Sequence, residues 1–540
     1  MGWFRRLGCC IALTCGAMGG PIAQAGVMNP IPTDPVMIES GRLSGTLLPS
    51  GVKAYLGVPY AAPPVRELRW HAPMPVKPWT GIYNADTKLT NCYIPLRATT
   101  LNHYFGEIRS SEDCLYANIW VPPAAKRGDR LPVVVWIHGG GFQEGSINFD
   151  VYSGEPLAKK GVIFVGIAYR VGIFGFMAHP ELTRESGHNA SGNWGLLDQI
   201  AGLQWLRRNI AAFGGDPNNV TVLGQSAGAL ALDDLEASPL ARGLFARVVG
   251  LSGAYHGVAA PQQEVLAQTQ AMGVKLQQAM KARDIAQMRT IPADQIVAIA
   301  AASGIRFSGP TIDGYVLPEA PAQAYAAGRQ IDVPLLVSSV GNDNGSRNAV
   351  TAATTLAEYQ KGAADLYGAD APQFLKLFPA SDDAEAARQA KEAARITGFG
   401  IVARDWARAQ AITGKAPVWL VQFNHPHPIT PGVVITDLDV RTAGAYHNSD
   451  LPFWFGTLDS LNLFRHTRDW TAYDDKLSNQ MQDVIVAFAR TGNPATADAN
   501  IPRYNPQREQ RLVFGDTGVT VETLNPKALD FIEAHPARRN

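Results

Sequence analysis

Cysteine is scarce in this chain, neither sign of charge is in excess, and no apolar run is long enough to hold it in a bilayer. Only five cysteines occur in 540 residues, which excludes a small disulfide-dense scaffold. Lys and Arg total 47 and Asp and Glu total 47, so no basic surplus exists to neutralise a nucleic-acid backbone. The apolar stretch from Leu7 to about Ala17 falls short of the ~20 residues a spanning helix needs. It follows Arg5 and Arg6 and leads to Ala23-Gln24-Ala25 before Gly26, the pattern of a secretory signal with a small-residue cleavage site. Residues 1–25 are therefore expected to be a signal peptide and 26–540 a single exported domain without a membrane anchor, secreted or periplasmic. Cys9, Cys10 and Cys15 would leave with the signal. Cys92 and Cys114 would remain, to form one disulfide in an oxidising compartment or to stay as two buried thiols. No internal repeat, low-complexity tract or linker divides the chain, and its 46% hydrophobic content is that of a globular protein.

Short β-branched runs recur along the sequence. Leu131–Ile137, Val162–Ile167, Val220–Leu223, Arg247–Leu251, Val333–Val337 and Val418–Phe423 read as buried strands. Leu196, Ile200, Leu203, Leu206 and Ile210 recur at helical spacing between them. Strands separated by helices predict an α/β fold: a mostly parallel central sheet with helices on both faces, active groups gathering at the carboxyl ends of the strands. Two stretches rich in Ala, Gln and charge, about 259–301 and 352–411, predict helical insertions over that sheet.

Two glycine-bearing motifs follow predicted strands. Gly224-Gln225-Ser226-Ala227-Gly228 comes directly after Val220–Leu223 and opens a helix-compatible stretch, the setting of a nucleophile elbow with Ser226 at its tip. His138-Gly139-Gly140-Gly141-Phe142 follows Leu131–Ile137. The N–H groups of Gly140 and Gly141, with that of Ala227, can converge on a developing oxyanion, each donor worth about 3 kcal/mol in the transition state. A phosphate cradle fits poorly, since no Lys-Ser/Thr follows the glycines. A serine needs a histidine base and a carboxylate to orient it, and a nucleophile elbow goes with the chain order Ser, acid, His. Five histidines lie late enough: His425, His427, His447, His466 and His535. His447 stands in a polar loop that leads into the apolar run Leu451–Phe455. His425 and His427 alternate with Pro426 and Pro428 and read as a rigid exposed segment, with no convincing third ligand for a metal.

With these motifs the chain resembles the type B carboxylesterases, the cholinesterase-like branch of the α/β-hydrolases. The resemblance extends through Gly57–Pro64, Leu68-Arg69-Trp70, Ser111–Trp120, Tyr169-Arg170-Val171-Gly172, Gly192–Gln199 and Phe213–Pro217, and through the loop from Gly444 to Gly456. It implies a serine esterase that hydrolyses small-molecule esters through an acyl-enzyme, without metal or organic cofactor. It also implies a Cys92–Cys114 disulfide, His447 as the base, and a structural ion pair matching Glu112 and Arg170. In the family a strand like Val333–Val337 runs into a loop ending Glu-Gly, and that Glu is the acid. An ungapped count puts Asp343 there, whereas aligning on Gly345 puts Asn344; only a carboxylate can stabilise the imidazolium, which favours Asp343, with Asp313 as the fallback. Gln225 stands where the family usually has Glu. A lipase, and a non-catalytic binding protein of the same build, are the competing readings. The triad does not state the substrate, but an acyl group bearing extra carboxylates would call for arginine in the pocket. Arg97, Arg109, Arg306 and Arg347 lie in predicted loops near motif segments and are the candidates, each also readable as a solvated surface charge.

Overall fold

The computed structural model describes residues 29–93, 109–343, 348–435, 438–441 and 443–535. The signal segment, Asn344, Arg97 and Arg347 lie outside the described residues. Eleven strands form the main sheet: β1 (Thr46–Leu47), β2 (Lys53–Pro59), β3 (Tyr116–Val121), β4 (Leu131–Ile137), β5 (Ile163–Ile167), β6 (Gly215–Gln225), β7 (Arg247–Leu251), β8 (Leu335–Val340), β9 (Val418–Phe423), β10 (Gln510–Phe514) and β11 (Val519–Thr523). Their spatial order is β11-β10-β9-β8-β7-β6-β4-β5-β3-β2-β1. The seven strands from β10 to β5 are parallel, and the pairs beyond them at both edges are antiparallel.

The β-branched content of β4 explains its central place. Every side chain from Val133 to Ile137 is 0% exposed, although alternate residues point to opposite faces, so both faces of the sheet are covered. Three helices supply part of that cover: α1 (Trp194–Asn209), α2 (Ala227–Ala237) and α5 (Ala472–Thr491) all pack on β6. The expected insertions are helical. The first holds Leu266–Ala279, Ile285–Thr290 and Ala293–Ala302; the second holds four helices ending in α3 (Phe399–Thr413), which lies against β8 and β9.

Two differences from the sequence reading are instructive. The strand expected at Val333–Val337 runs instead over Leu335–Val340, since Pro334 has no N–H for a ladder and its carbonyl accepts from Val248 before the strand begins. Strands β1, β2, β3, β10 and β11, towards the two edges of the sheet, were not read from the sequence. Cys92 and Cys114 are joined in a disulfide, with Cα atoms 4.9 Å apart, and both are buried.

Candidate active site

Ser226 sits between the last residue of β6 and the first of α2, at φ 55° and ψ −123°, a backbone conformation that costs a non-glycine residue of order 1–3 kcal/mol. Close packing keeps it there. A Cβ on Gly228 would lie 2.1 Å from the carbonyl oxygen of Ile137, and one on Gly224 would lie 2.5 Å from that of Gly228. Neither backbone can retreat, because both belong to the sheet and the helix that it carries. The amide of Ser226 donates to Leu251 at 2.8 Å, tying the turn to the end of β7.

The glycine loop after β4 faces this turn. Gly140 has φ 110°, and its carbonyl accepts from the N–H groups of Gln143 (3.0 Å) and Glu144 (3.2 Å), which curls the loop back. Among the described residues, the N–H groups of Gly140, Gly141 and Ala227 have no hydrogen-bond partner within the chain. His138 holds the base of the loop: its ring stacks on Tyr169 at 4.3 Å, and the Tyr169 hydroxyl donates to its carbonyl. Burial lowers His138 to about 4, so the ring is neutral and structural at pH 7.

His447 and Asp343 come together from two loops, the second of which follows β8. The Nδ1–H of His447 donates to Asp343 Oδ1 at 2.5 Å, and Asp343 is buried. The other carboxylate oxygen accepts from the Ser252 hydroxyl and from the Val340 amide at 3.2 Å, so the acid is held on three sides. This geometry requires the neutral imidazole to carry its lone pair on Nε2. In this structure the Gln225 side-chain amide lies 3.2 Å from that nitrogen, and Ser226 Oγ makes no hydrogen bond among the described residues. Phe399, at the start of α3, stacks on the His447 ring with centroids 5.3 Å apart. Asp313 is elsewhere engaged, its Oδ1 accepting the amides of Tyr315 and Leu317 to close its own turn.

Sequence reasoning missed four neighbours: Ser252, Phe399, the contact of Gln225 with His447, and Asp450. Asp450 is fully buried just before α4 (Leu451–Phe455), with Oδ2 accepting from Trp454 Nε1 at 3.0 Å and Oδ1 unpartnered. Burial first, and then the charge of Asp343, push it up to about 7, against the Trp454 bond and the nearby His447. The position of Ser252 was the most legible of the four, since it follows β7 at the carboxyl end of the strand beside the elbow.

Two expectations need correction. Glu112 and Arg170 are not partners. Arg69 binds Glu112 through two 2.6 Å contacts while its guanidinium lies over Trp70 and Phe174; Arg170 binds Asp198 of α1 at 2.7 Å. His425 and His427 are not an exposed segment. His427 is buried against Ser449 and Tyr446, and His425 bridges Asp474 and Asp516. Both described candidate arginines, Arg109 and Arg306, are exposed. The Arg306 loop nevertheless touches the glycine loop, because Gln143 donates its side-chain amide to Phe307 and Phe142 packs against Gly309.

A serine on a strained strand-to-helix turn, a histidine–aspartate pair, and a glycine loop with free N–H groups, all beside the carboxyl ends of neighbouring parallel strands, define an α/β-hydrolase. Residues 32–532 match the model of the carboxylesterase family, and the chain belongs to that family. It is 33% identical over 501 residues to fumonisin B1 esterase of Sphingopyxis macrogoltabida, covering 89% of this chain and 87% of the relative. It is 34% identical over 495 residues to para-nitrobenzyl esterase of Bacillus subtilis (strain 168), covering 90% and 96%. A solved PNB esterase superimposes with a TM-score of 0.75 at 31% identity, covering 93% of this chain and 99% of the other. The chain is accordingly a carboxylic ester hydrolase.

Proposed function

We propose that Ser226 is the nucleophile, His447 the general base and Asp343 the residue that orients it, with the amides of Gly140, Gly141 and Ala227 as the oxyanion hole. The 2.5 Å bond between His447 and Asp343 beside the strained Ser226 carries this reading. His447 Nε2 takes the proton of Ser226 Oγ as the oxygen attacks an ester carbonyl. The tetrahedral oxyanion then collapses to an acyl-enzyme, and His447 returns the proton to the departing alcohol. Water repeats the cycle and frees the acid. The Asp343 carboxylate stabilises the imidazolium formed in each step, and the bonds from Ser252 and Val340 fix its direction.

For the substrate we infer fumonisin B1, with release of its tricarballylic acid side chains, by an enzyme exported with residues 1–25 removed. The similarity to fumonisin B1 esterase supports this, and the Arg306 loop, which touches the glycine loop through Phe307 and Gly309, offers the arginine to test for an acyl carboxylate. The comparable identity to para-nitrobenzyl esterase favours a second reading, a general carboxylesterase of neutral esters. The mechanism and the substrate are tested separately. Ser226→Ala is expected to lower turnover by about 10⁶-fold, and appreciable residual activity would remove the mechanism. Arg306→Ala is expected to lower kcat/KM for a tricarballylate ester by about 30-fold while sparing p-nitrophenyl butyrate. Equal rates on both esters, unchanged in that variant, would leave the general esterase.

A further inference from the structure

Gln225 is an uncharged side chain, 2% exposed, at the end of β6. Its amide nitrogen stands 3.2 Å from His447 Nε2, while His447 Nδ1 is committed to Asp343. With its proton on Nδ1, the ring can only accept at Nε2, so the Gln225 N–H donates to the lone pair that must later receive the Ser226 proton. We propose that Gln225 is a positioning residue for the general base: it holds the neutral, Nδ1-protonated imidazole in register until an ester arrives, then yields Nε2 to Ser226. This inference rests on the triad reading given above.

The chemistry follows from one incompatibility. Once His447 has taken the serine proton, Nε2 carries N–H and can no longer accept, so the Gln225 N–H must move away or turn its oxygen to the ring. The contact therefore stabilises only the neutral ring, and removing it favours protonation. Other elements facing His447 contribute two carboxylates and one apolar ring: Asp343 from the loop after β8, Asp450 from the start of α4, and Phe399 from α3. Gln225 is the contact from β6, and it adds no charge.

The test is the pH dependence of kcat/KM for p-nitrophenyl butyrate in Gln225→Glu and Gln225→Met, with folding checked by circular dichroism. Loss of the N–H donor should move the acid limb to higher pH in Gln225→Met by about half a unit to one unit, the equivalent of one ordinary hydrogen bond. Gln225→Glu adds an opposite charge as well and should move it by about one unit or more. A packing role would lower kcat at every pH and leave the limb in place. An unmoved limb in Gln225→Met overturns the proposal, whatever Gln225→Glu does. Should Gln225→Met fail to fold, crystal structures of the wild-type enzyme, free and as a phosphonate adduct of the serine, decide the matter. The amide nitrogen should lie within about 3.5 Å of Nε2 in the free enzyme and leave it in the adduct; the same contact in both would refute the idea. Activity surviving in Ser226→Ala would instead refute the triad reading itself.

Discussion

Replacing Asp450 by Asn should make the protein more stable at alkaline pH and leave it nearly unchanged in acid. Asp450 is completely buried, and burial together with Asp343 raises it from about 3.8 to about 7. A carboxyl whose folded value is raised contributes stability that is full below its unfolded value and is lost as the pH climbs through the folded one. The window here runs from about pH 4 to pH 7. The shift of roughly 3 units corresponds to about 4 kcal/mol lost across that window. Asn keeps the acceptor for Trp454, has nearly the same shape as the protonated acid, and never ionises. The unfolding entropy of a chain this size is near 1 kcal/mol/K, so the variant should melt about 4 °C above wild type at pH 8. At pH 4 the two curves should nearly coincide. Calorimetric scans at half-unit intervals read this directly. A melting difference that stays flat with pH, or that is larger in acid, would show that Asp450 ionises like an ordinary surface carboxylate and that the burial argument is wrong.

Asp343→Asn should fold normally and lose about 10⁴-fold in turnover, because an amide can stabilise the wrong histidine tautomer; steady-state kinetics beside a melting curve test both halves. With residues 1–25 removed as proposed, the enzyme should show no free thiol in denaturant and two after reduction, from Cys92 and Cys114, and a titre of two without reductant would contradict the disulfide. Loss of that bond should cost about 3 kcal/mol in the chain-entropy model, measurable as a lower denaturant midpoint in Cys92→Ser/Cys114→Ser.

The central sheet was legible because β4, β6, β7 and β9 bury both faces and so write unbroken apolar runs into the sequence. Edge strands such as β11 expose most of their residues and leave no such run. The site divides in a similar way. Ser226 and Gly228 were readable because a sharp turn against packed backbone admits few residue types. His447 was singled out by the resemblance of its loop, which leads into the apolar run that buries α4. Ion pairing was misread because a pair is a property of space: Arg69 and Arg170 lie in similar motif segments, but Arg69 is held at Glu112 by its place over Trp70 and Phe174 and by the carbonyls of Met288, Arg289 and Ile291. The alternation of His425 and His427 with proline indicated stiffness correctly but gave no information on what would cover them. Their cover comes from Tyr446, Phe453 and Tyr473, tens of residues downstream.

The neutral amide at position 225 bears on how much charge a general base can usefully have around it. A base must be unprotonated when the ester arrives, yet its imidazolium must be stabilised once the serine proton has moved. In the proposed triad Asp343 serves the second requirement and, by accepting at Nδ1, also fixes the tautomer for the first. Asp450 lies near enough to feel the charge of both, and its burial together with the Asp343 charge pushes its carboxyl up to about 7. A third carboxylate at Gln225 would favour the protonated ring before any substrate bound, and the fraction of competent enzyme at pH 7 would fall. An N–H donor at the same place does the opposite, stabilising the ring in the form that can accept a proton. Gln225 and Asp450 thus act on His447 in opposing senses, and the pH at which the enzyme begins to work should be set by the balance between them.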